Sequence, residues 1–251
     1  MSLDKIGPIY CINLRSRKDR LKEVSSLFKK IKTNVNYHIV DKHPEGGTHG
    51  CFNSHIEIIT DAYNKGYERC VIFEDDIVLT EGYNKKQLNK CIRFMRKNKT
   101  WNIFYLGVLP DIRKKQTKVV EDGIYKLSGI CTHAYVIHRR LMEKLVGMKY
   151  IGIPIDYLYM QLDECYAIYP TMFFQGLSKS DIVSATWNSG FRNESIVKGY
   201  YRLQEMYAYH IKTPLLSFKM TMLMLLSFAI YVYTKKIEYA LVGFLVSLLI
   251  I

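Results

Sequence analysis

The chain has 251 residues, of which 49% are hydrophobic and 24% charged, so its composition is that of a globular protein and does not indicate disorder. The formal net charge of +13 favours anionic partners such as nucleotides or acidic lipids. Nucleic acid is not predicted as a partner, because the basic residues are spread thinly and no nucleic-acid-binding motif accompanies them. Six cysteines without CxxC spacing argue against a structural zinc site and favour buried free thiols in a reducing compartment.

The first segment of the chain predicts two strands separated by a helix. Residues 8–14 (PIYCINL) and 36–40 are rich in β-formers, and apolar residues between them recur at helical spacing from Leu21 to Ile31. The basic cluster at residues 15–20 (RSRKDR) lies where the first strand hands over to this helix. Such a junction can hold a diphosphate, because unpaired amides and the positive end of the helix dipole point at it. A solvated basic first turn is the alternative.

A glycine-containing loop, residues 43–50, precedes a second predicted helix that starts near Cys51. Its apolar residues Ile56, Ile59 and Ala62 can pack inward. Ser54 and His55 then lie in the first turns and face the loop. A lone histidine in such a place is usually structural.

The central stretch is residues 69–81 (RCVIFEDDIVLTE), in which a short buried strand ends in Glu74, Asp75 and Asp76. Adjacent carboxylates repel one another and raise one another's pKa unless a cation lies among them. If extended geometry persists, Glu74 and Asp76 share one face and Asp75 takes the other. Two converging carboxylates suit Mg²⁺ or Mn²⁺, which keeps coordination positions for substrate phosphates. A solvated acidic loop is the alternative.

The remaining elements continue to alternate. The sequence predicts, in order, a helix through Leu88 and Met95, a strand at 101–106, a polar loop at 111–119, a strand at 129–137, a helix at 139–148, a helix at 157–162 and an apolar stretch at 165–174. Asp156 stands at the start of the helix at 157–162, where an aspartate is commonly just an N-cap. This alternation predicts an α/β fold with a mostly parallel, doubly wound sheet and ligands at the carboxyl ends of its strands.

The sequence divides into a domain at residues 1–211 and a hydrophobic helical tail at 212–251. Residues 215–233 form an apolar run of about 19 residues, enough as a helix for roughly 28 Å of hydrocarbon. We expect this tail to anchor the chain to a membrane, and a buried helical hairpin is the alternative. Because no signal peptide precedes the domain, we expect the domain on the cytoplasmic side.

Six segments in a fixed order carry a family resemblance. They are INLRSRKDR at 12–20, GCFNSH at 50–55, VIFEDD at 71–76, THAYVIHRRLMEKLV at 132–146, PIDYLYMQL at 154–162 and YPTMFFQGLSKSDI at 169–182. With these segments the chain resembles glycosyltransferase family 25, the family of bacterial lipooligosaccharide galactosyltransferases and procollagen galactosyltransferases. The resemblance covers roughly residues 8–185.

The resemblance implies a GT-A-like fold, a Rossmann-type sheet flanked by helices, and metal-dependent transfer of a hexose with inversion. The donor would be a UDP-sugar, with galactose a candidate hexose, and the acceptor a glycan, lipid-linked or protein hydroxyl. Mn²⁺ or Mg²⁺ would be held by Glu74 and Asp76. The implied donor-binding residues are Asn13, Arg17, Asp19, Arg20, Ser54, His55 and Asp75.

An inverting transfer also needs a base for the acceptor hydroxyl. Asp156 is the candidate, with Asp181 as substitute, and an N-cap role for Asp156 stays open. Two other function classes also remain open. One is a nucleotidyltransferase or phosphotransferase, which lacks support from any P-loop or kinase signature. The other is a non-catalytic glycan-binding or adhesion module on the same fold.

Overall fold

Helices and strands largely alternate in the first hundred residues, as the periodicity predicts, whereas four strands and then two helices follow one another after that. The structure is a computed structural model that describes residues 2–110 and 118–176 together with Thr234. The helices are α1 (Lys18–Lys30), α2 (Gly47–Asn64), α3 (Lys85–Lys97), α4 (Arg139–Leu145) and α5 (Ile155–Met160). The strands are β1 (Ile9–Leu14), β2 (Asn36–Val40), β3 (Arg69–Glu74), β4 (Ile77–Leu79), β5 (Ile103–Pro110), β6 (Lys118–Glu121), β7 (Ile124–Lys126), β8 (Gly129–His138), β9 (Cys165–Ile168) and β10 (Phe173–Gln175).

Eight strands form one mixed sheet in the order β2-β1-β3-β8-β5-β9-β7-β6. β1 runs parallel to both β2 and β3, and β5 runs parallel to β9. β8 is antiparallel to its neighbours β3 and β5, and β7 is antiparallel to β9 and β6. All the other strands of this sheet therefore point the same way, which confirms the predicted mostly parallel α/β sheet.

The sheet is covered by helices on both faces, because its strands bury alternate residues on opposite sides. In β3, Val71 and Phe73 pack with α1 and α3 in one core. Cys70 and Ile72 pack with α2, α4 and α5 in the other. All four side chains are fully buried, which explains why the strand reads as a continuous apolar run.

The order of the strands predicts a crevice beside β1. From β1 the chain passes through α1 to β2 on one side, and then through α2 to β3 on the other side. α1 and α2 lie on opposite faces of the sheet. Such a reversal leaves an opening at the carboxyl ends of the two central strands, where ligands bind in open α/β sheets. The ends of β1 and β3 are adjacent there, since Ile12 is the register partner of Glu74.

Several predicted boundaries differ from the structure, and three of the differences change which element a segment belongs to. α2 begins at Gly47, inside the segment predicted as a loop, and Gly46 before it has φ +103°, a left-handed conformation suited to glycine. The predicted loop at 111–119 ends in a strand, because Lys118 and Val119 belong to β6, which pairs with β7. The apolar stretch at 165–174 is interrupted after β9 by the Tyr169-Pro170 turn, and β10 beyond it pairs with β4 in a separate two-stranded sheet.

The predicted membrane tail at 212–251 lies outside the described residues apart from Thr234, and so does Asp181. Within residues 2–110 and 118–176, no helix has the length and apolarity that crossing a membrane requires.

Candidate active site

The acids that end β3 do not continue as an extended strand. β3 stops at Glu74, Asp75 and Asp76 form a turn, and β4 begins at Ile77. The alternating geometry that would place Glu74 and Asp76 on one face therefore does not persist. Each of the three carboxylates instead meets its own set of neighbours.

Asp75 points back towards β1 and α1. Its carboxylate accepts a hydrogen bond from Asn13 Nδ2 at 2.6 Å and another from Arg20 Nη1 at 2.8 Å. Asn13 Nδ2 also donates to the Arg17 carbonyl at 3.2 Å, which ties the loop after β1 to the acidic turn. Burial raises the pKa of Asp75, and the charge and hydrogen bond of Arg20 oppose that rise.

Asp76 is only slightly exposed, with 9% of its side chain accessible to solvent. Its Oδ2 lies 3.7 Å from Arg20 Nη1 and accepts a hydrogen bond from Gln175 Nε2 at 3.3 Å. Its Oδ1 is buried and has no hydrogen-bond partner among the residues that the structure describes. Burial, followed by the negative charge of Glu74, raises the pKa of Asp76 to about 7. The solvated acidic loop is therefore the wrong alternative for this turn.

Glu74 faces the opposite way, towards β8 and α2. Thr132 Oγ1 donates to Glu74 Oε1 at 2.8 Å, and His55 Nε2 lies 3.5 Å from the same oxygen. Burial alone would raise the pKa of Glu74, but His55 and Thr132 together lower it below its ordinary value. Thr132 can reach Glu74 because β8 extends beyond the end of β3, where Ala134 is the register partner of Phe73.

Asp156 lies in the first turn of α5, in the same neighbourhood. It is not the N-cap, because Pro154 occupies that position. Its carboxylate accepts the Tyr157 backbone N–H at 3.0 Å and also the backbone N–H of Cys131, whose φ of +70° is left-handed. Burial raises the pKa of Asp156, and the charge of Glu74 adds to that rise. A carboxylate with a raised pKa is a stronger base than an exposed one.

Three of the remaining predicted residues lie at the margin of the site. Arg17 and Asp19 pair with each other, with Arg17 Nη2 at 2.9 Å from Asp19 Oδ2. The hydrogen bond from Arg17 lowers the pKa of Asp19 to about 2. Ser54 is buried, and its hydroxyl donates to the Gly50 carbonyl at 2.7 Å within α2 instead of facing the crevice. The structure thus brings together the acids, Asn13, Arg20, His55 and Asp156, whereas the Ser54 hydroxyl bonds within α2 and the Arg17 and Asp19 side chains bond to each other.

Two polar residues of the site were missed by the sequence reading. Thr132 lies in β8 directly before His133, which is polar as well, so the sequence does not single it out. Gln175 directly follows Phe173 and Phe174, and β10 carries it to Asp76 by pairing antiparallel with β4. The buried His133 ring also contacts the Phe173 carbonyl at 3.2 Å and helps to hold β10 in place. No periodicity in the sequence indicates the β4–β10 pairing.

Fold and site together define a mixed α/β protein that gathers buried carboxylates at the carboxyl edge of its sheet. Residues 45–159 match the family model described as glycosyltransferase family 25, LPS biosynthesis protein. This match contains α2, the acidic turn, β8 and most of α5. It confirms the resemblance to glycosyltransferase family 25.

Two curated proteins show the same relationship. The chain is 29% identical over 89 residues to "Probable inactive glycosyltransferase 25 family member 3" of Rattus norvegicus, covering 36% of this chain and 15% of that protein. It is 24% identical over 119 residues to "Procollagen galactosyltransferase 2" of Homo sapiens, covering 44% of this chain and 18% of that protein. The chain thus spans less than a fifth of the length of these relatives.

Among solved structures, the chain is similar to a glycosyltransferase involved in the glycosylation of the major capsid of PBCV-1. The sequence identity is 14%, the TM-score is 0.40, and the alignment covers 80% of this chain and all of the other. A likeness at this level carries no information about substrate or mechanism.

Proposed function

We propose that the protein is a metal-dependent glycosyltransferase of the family 25 type with a GT-A-like fold, which transfers a hexose from a UDP-sugar to a hydroxyl acceptor with inversion. The observation that carries this proposal is the buried Asp76 carboxylate. Its Oδ1 has no partner among the described residues, although it lies at the crevice where the order of the strands reverses. An unpaired buried carboxylate oxygen is costly, and a divalent cation would supply the missing partner.

The charges around Asp76 fit a divalent ion. Arg20 is the cation shared by Asp75 and Asp76, while Glu74 lies close enough to raise the pKa of Asp76. When the three acids are ionised, one guanidinium leaves two negative charges unbalanced. Asp76 would hold Mn²⁺ or Mg²⁺, and Asp75 is fixed by Asn13 and Arg20 so that its position supports the site. When bound, the ion would supply Lewis-acid stabilisation of the negative charge that develops on the departing nucleotide diphosphate.

Asp156 is the proposed base. Its carboxylate would take the proton of the acceptor hydroxyl as that oxygen bonds to the anomeric carbon, and UDP would leave with the electrons of the broken bond. Two backbone N–H groups hold the carboxylate in place, while burial keeps its pKa above the ordinary value. Asp181 stays a substitute for this role from outside the described residues.

The finer assignments are also proposals. Galactose as the transferred hexose is supported by the relative named a procollagen galactosyltransferase. A glycan, lipid-linked or protein acceptor, and attachment to a membrane through residues 212–251, follow from the family resemblance and from the apolar tail. A non-catalytic sugar-binding module is the second candidate, favoured by the relative named probable inactive.

The proposal is tested by donor hydrolysis and acceptor transfer with a panel of UDP-sugars, with and without Mn²⁺. We expect turnover that requires metal and that falls by about 1000-fold or more in Asp76→Asn, because electrostatic contacts to the reacting phosphates are worth several kcal/mol. Asp122→Asn is the matched control, since Asp122 is exposed and pairs with Lys90 away from the crevice. Saturable sugar-nucleotide binding without turnover would support the binding module and contradict the enzyme.

A further inference from the structure

A second group of possible metal ligands lies on the far side of the acidic turn. The Cys51 Sγ, a His55 ring nitrogen and a Glu74 carboxylate oxygen all lie within 4.8 Å of one another. Cys51 and His55 are four residues apart in α2, so their side chains project from the same face of the helix. Sulfur, imidazole nitrogen and carboxylate oxygen together form a ligand set typical of Zn²⁺ and distinct from the oxygen ligands that Mg²⁺ and Mn²⁺ prefer.

The His55 ring is held in the orientation that a metal ligand needs. The ring is fully buried, and its Nδ1 lies 2.8 Å from the Tyr135 hydroxyl. The Tyr135 hydroxyl lies 3.1 Å from the Tyr159 hydroxyl, so a chain of hydrogen bonds fixes the ring from behind. Metal-binding histidines are commonly oriented by such a bond to the nitrogen that does not touch the metal.

The other nitrogen, His55 Nε2, is directed at the group and has no hydrogen-bond partner in the described part of the chain. It lies 3.5 Å from Glu74 Oε1, whereas a good N–H···O bond spans about 2.7–3.2 Å. Two ligands about 2.0–2.1 Å from a tetrahedral metal are separated by about 3.4 Å. The observed separation therefore fits an edge of a metal tetrahedron better than it fits a hydrogen bond.

We propose that Cys51, His55 and Glu74 form a binding site for a thiophilic divalent cation, Zn²⁺ or a metal of similar preference, beside the proposed sugar-transfer site. On binding, the Cys51 thiol loses its proton to solvent and its thiolate bonds to the metal through Sγ. The three protein ligands leave one coordination position for water. Because metal binding displaces the thiol proton, metal affinity should increase with pH.

The site is separate from the one proposed at Asp76. Glu74 faces α2 and β8, whereas Asp76 faces Arg20 and Gln175. Metal at the cysteine side would fix Glu74 and the first turns of α2 against β8, which is a structural role. This inference does not require that the protein transfers sugar.

The test uses the full-length chain purified without an affinity tag. Elemental analysis should find about one equivalent of zinc per chain, and replacement by Co²⁺ should give an intense thiolate-to-cobalt charge-transfer absorption. Cys51→Ser should abolish this absorption. Tyr135→Phe should keep it while weakening Co²⁺ affinity by about 10-fold or more, because the hydrogen bond that orients His55 is lost.

Three controls make the result specific. Cys91→Ala removes a buried thiol in the opposite core and should leave the absorption unchanged. His49→Ala disrupts the partly buried His43, Glu45 and His49 group, which offers no sulfur and should not contribute to the absorption. Asp76→Asn should also leave it intact, which separates this site from the proposed catalytic metal. Loss of the absorption in Asp76→Asn, or its absence in the unmodified chain at saturating Co²⁺, would overturn the inference.

Discussion

The two sides of the acidic turn stabilise buried carboxylates by different means. On the side of α1, Arg20 supplies a permanent positive charge to Asp75 and Asp76. On the side of α2, Glu74 meets the Thr132 hydroxyl and the His55 ring, whose positive charge depends on a proton. An arginine side chain does not lose its proton at physiological pH, whereas a neutral imidazole can bind a metal ion through a ring nitrogen.

Removing a partner of the carboxylates should therefore cost more stability on the α1 side than on the α2 side. Removing Arg20 leaves buried negative charge without compensation, which is among the most expensive changes in a folded protein. Removing a neutral donor on the Glu74 side loses a hydrogen bond and costs less. Three predictions test this contrast, from the largest expected effect to the smallest.

Arg20→Met should lower the free energy of unfolding by about 3–5 kcal/mol, because Asp75 and Asp76 stay buried without their shared cation. Urea denaturation measures the loss. Asp75→Asn introduced into Arg20→Met should recover part of it, since one uncompensated charge is removed. Arg15→Met is the matched control, because Arg15 forms an exposed ion pair with Asp41 at 3.0 Å and should cost less than about 1 kcal/mol. Equal losses in the two arginine variants would show that Arg20 does not balance the acids.

On the Glu74 side, Tyr135→Phe should cost about 1–3 kcal/mol, because the His55 ring and the Tyr159 hydroxyl each lose a partner. Tyr105→Phe provides the comparison. The Tyr105 hydroxyl is equally buried but has no hydrogen-bond partner within the described ranges, so its removal should be neutral or slightly stabilising. Thermal or urea unfolding of the two variants measures the loss of stability in each. A larger loss for Tyr105→Phe would mean that the hydrogen-bond chain behind His55 contributes nothing to stability.

The sequence predicted most of the helices and strands and placed the three acids after a buried strand, because local signals determine both. The apolar runs of β1, β3 and β8 and the helical stripes between them are visible in the chain, and Glu74, Asp75 and Asp76 directly follow a buried strand. Strand order then brings the end of β1 to the acids, so that Asn13 and Arg20 bond to Asp75, while their predicted role in donor binding stays a prediction.

What the sequence could not indicate depends on contacts between distant segments. The turn at Asp75 and Asp76 separates carboxylates that strict alternation would have paired, and β4 forms only because β10 returns to pair with it. The Cys51–His55 spacing was present in the sequence, but Glu74 joins it through tertiary packing alone. The CxxC rule considers only cysteines that are close in sequence, so it could not indicate a group whose third member comes from a distant segment.

The smallest effect concerns the pH dependence of Asp76. Its pKa of about 7 lies above the ordinary value of 3.8, so the folded protein binds this proton more tightly than the unfolded chain. Stability of the metal-free protein should therefore fall as pH rises between these values, and the full penalty is present above pH 7. Asp76→Asn removes the penalty and should gain on the order of 1 kcal/mol at pH 8 relative to pH 5, after allowance for coupling to Glu74. Thermal melts at both pH values, with exposed Asp122→Asn as control, measure the difference.

Saturating Mn²⁺ at pH 8 should reverse the order and make the unsubstituted chain the more stable one, because only it keeps both carboxylate oxygens for the metal. A gain that is the same at pH 5 and pH 8, or that survives Mn²⁺, would contradict the placement of the ion at Asp76.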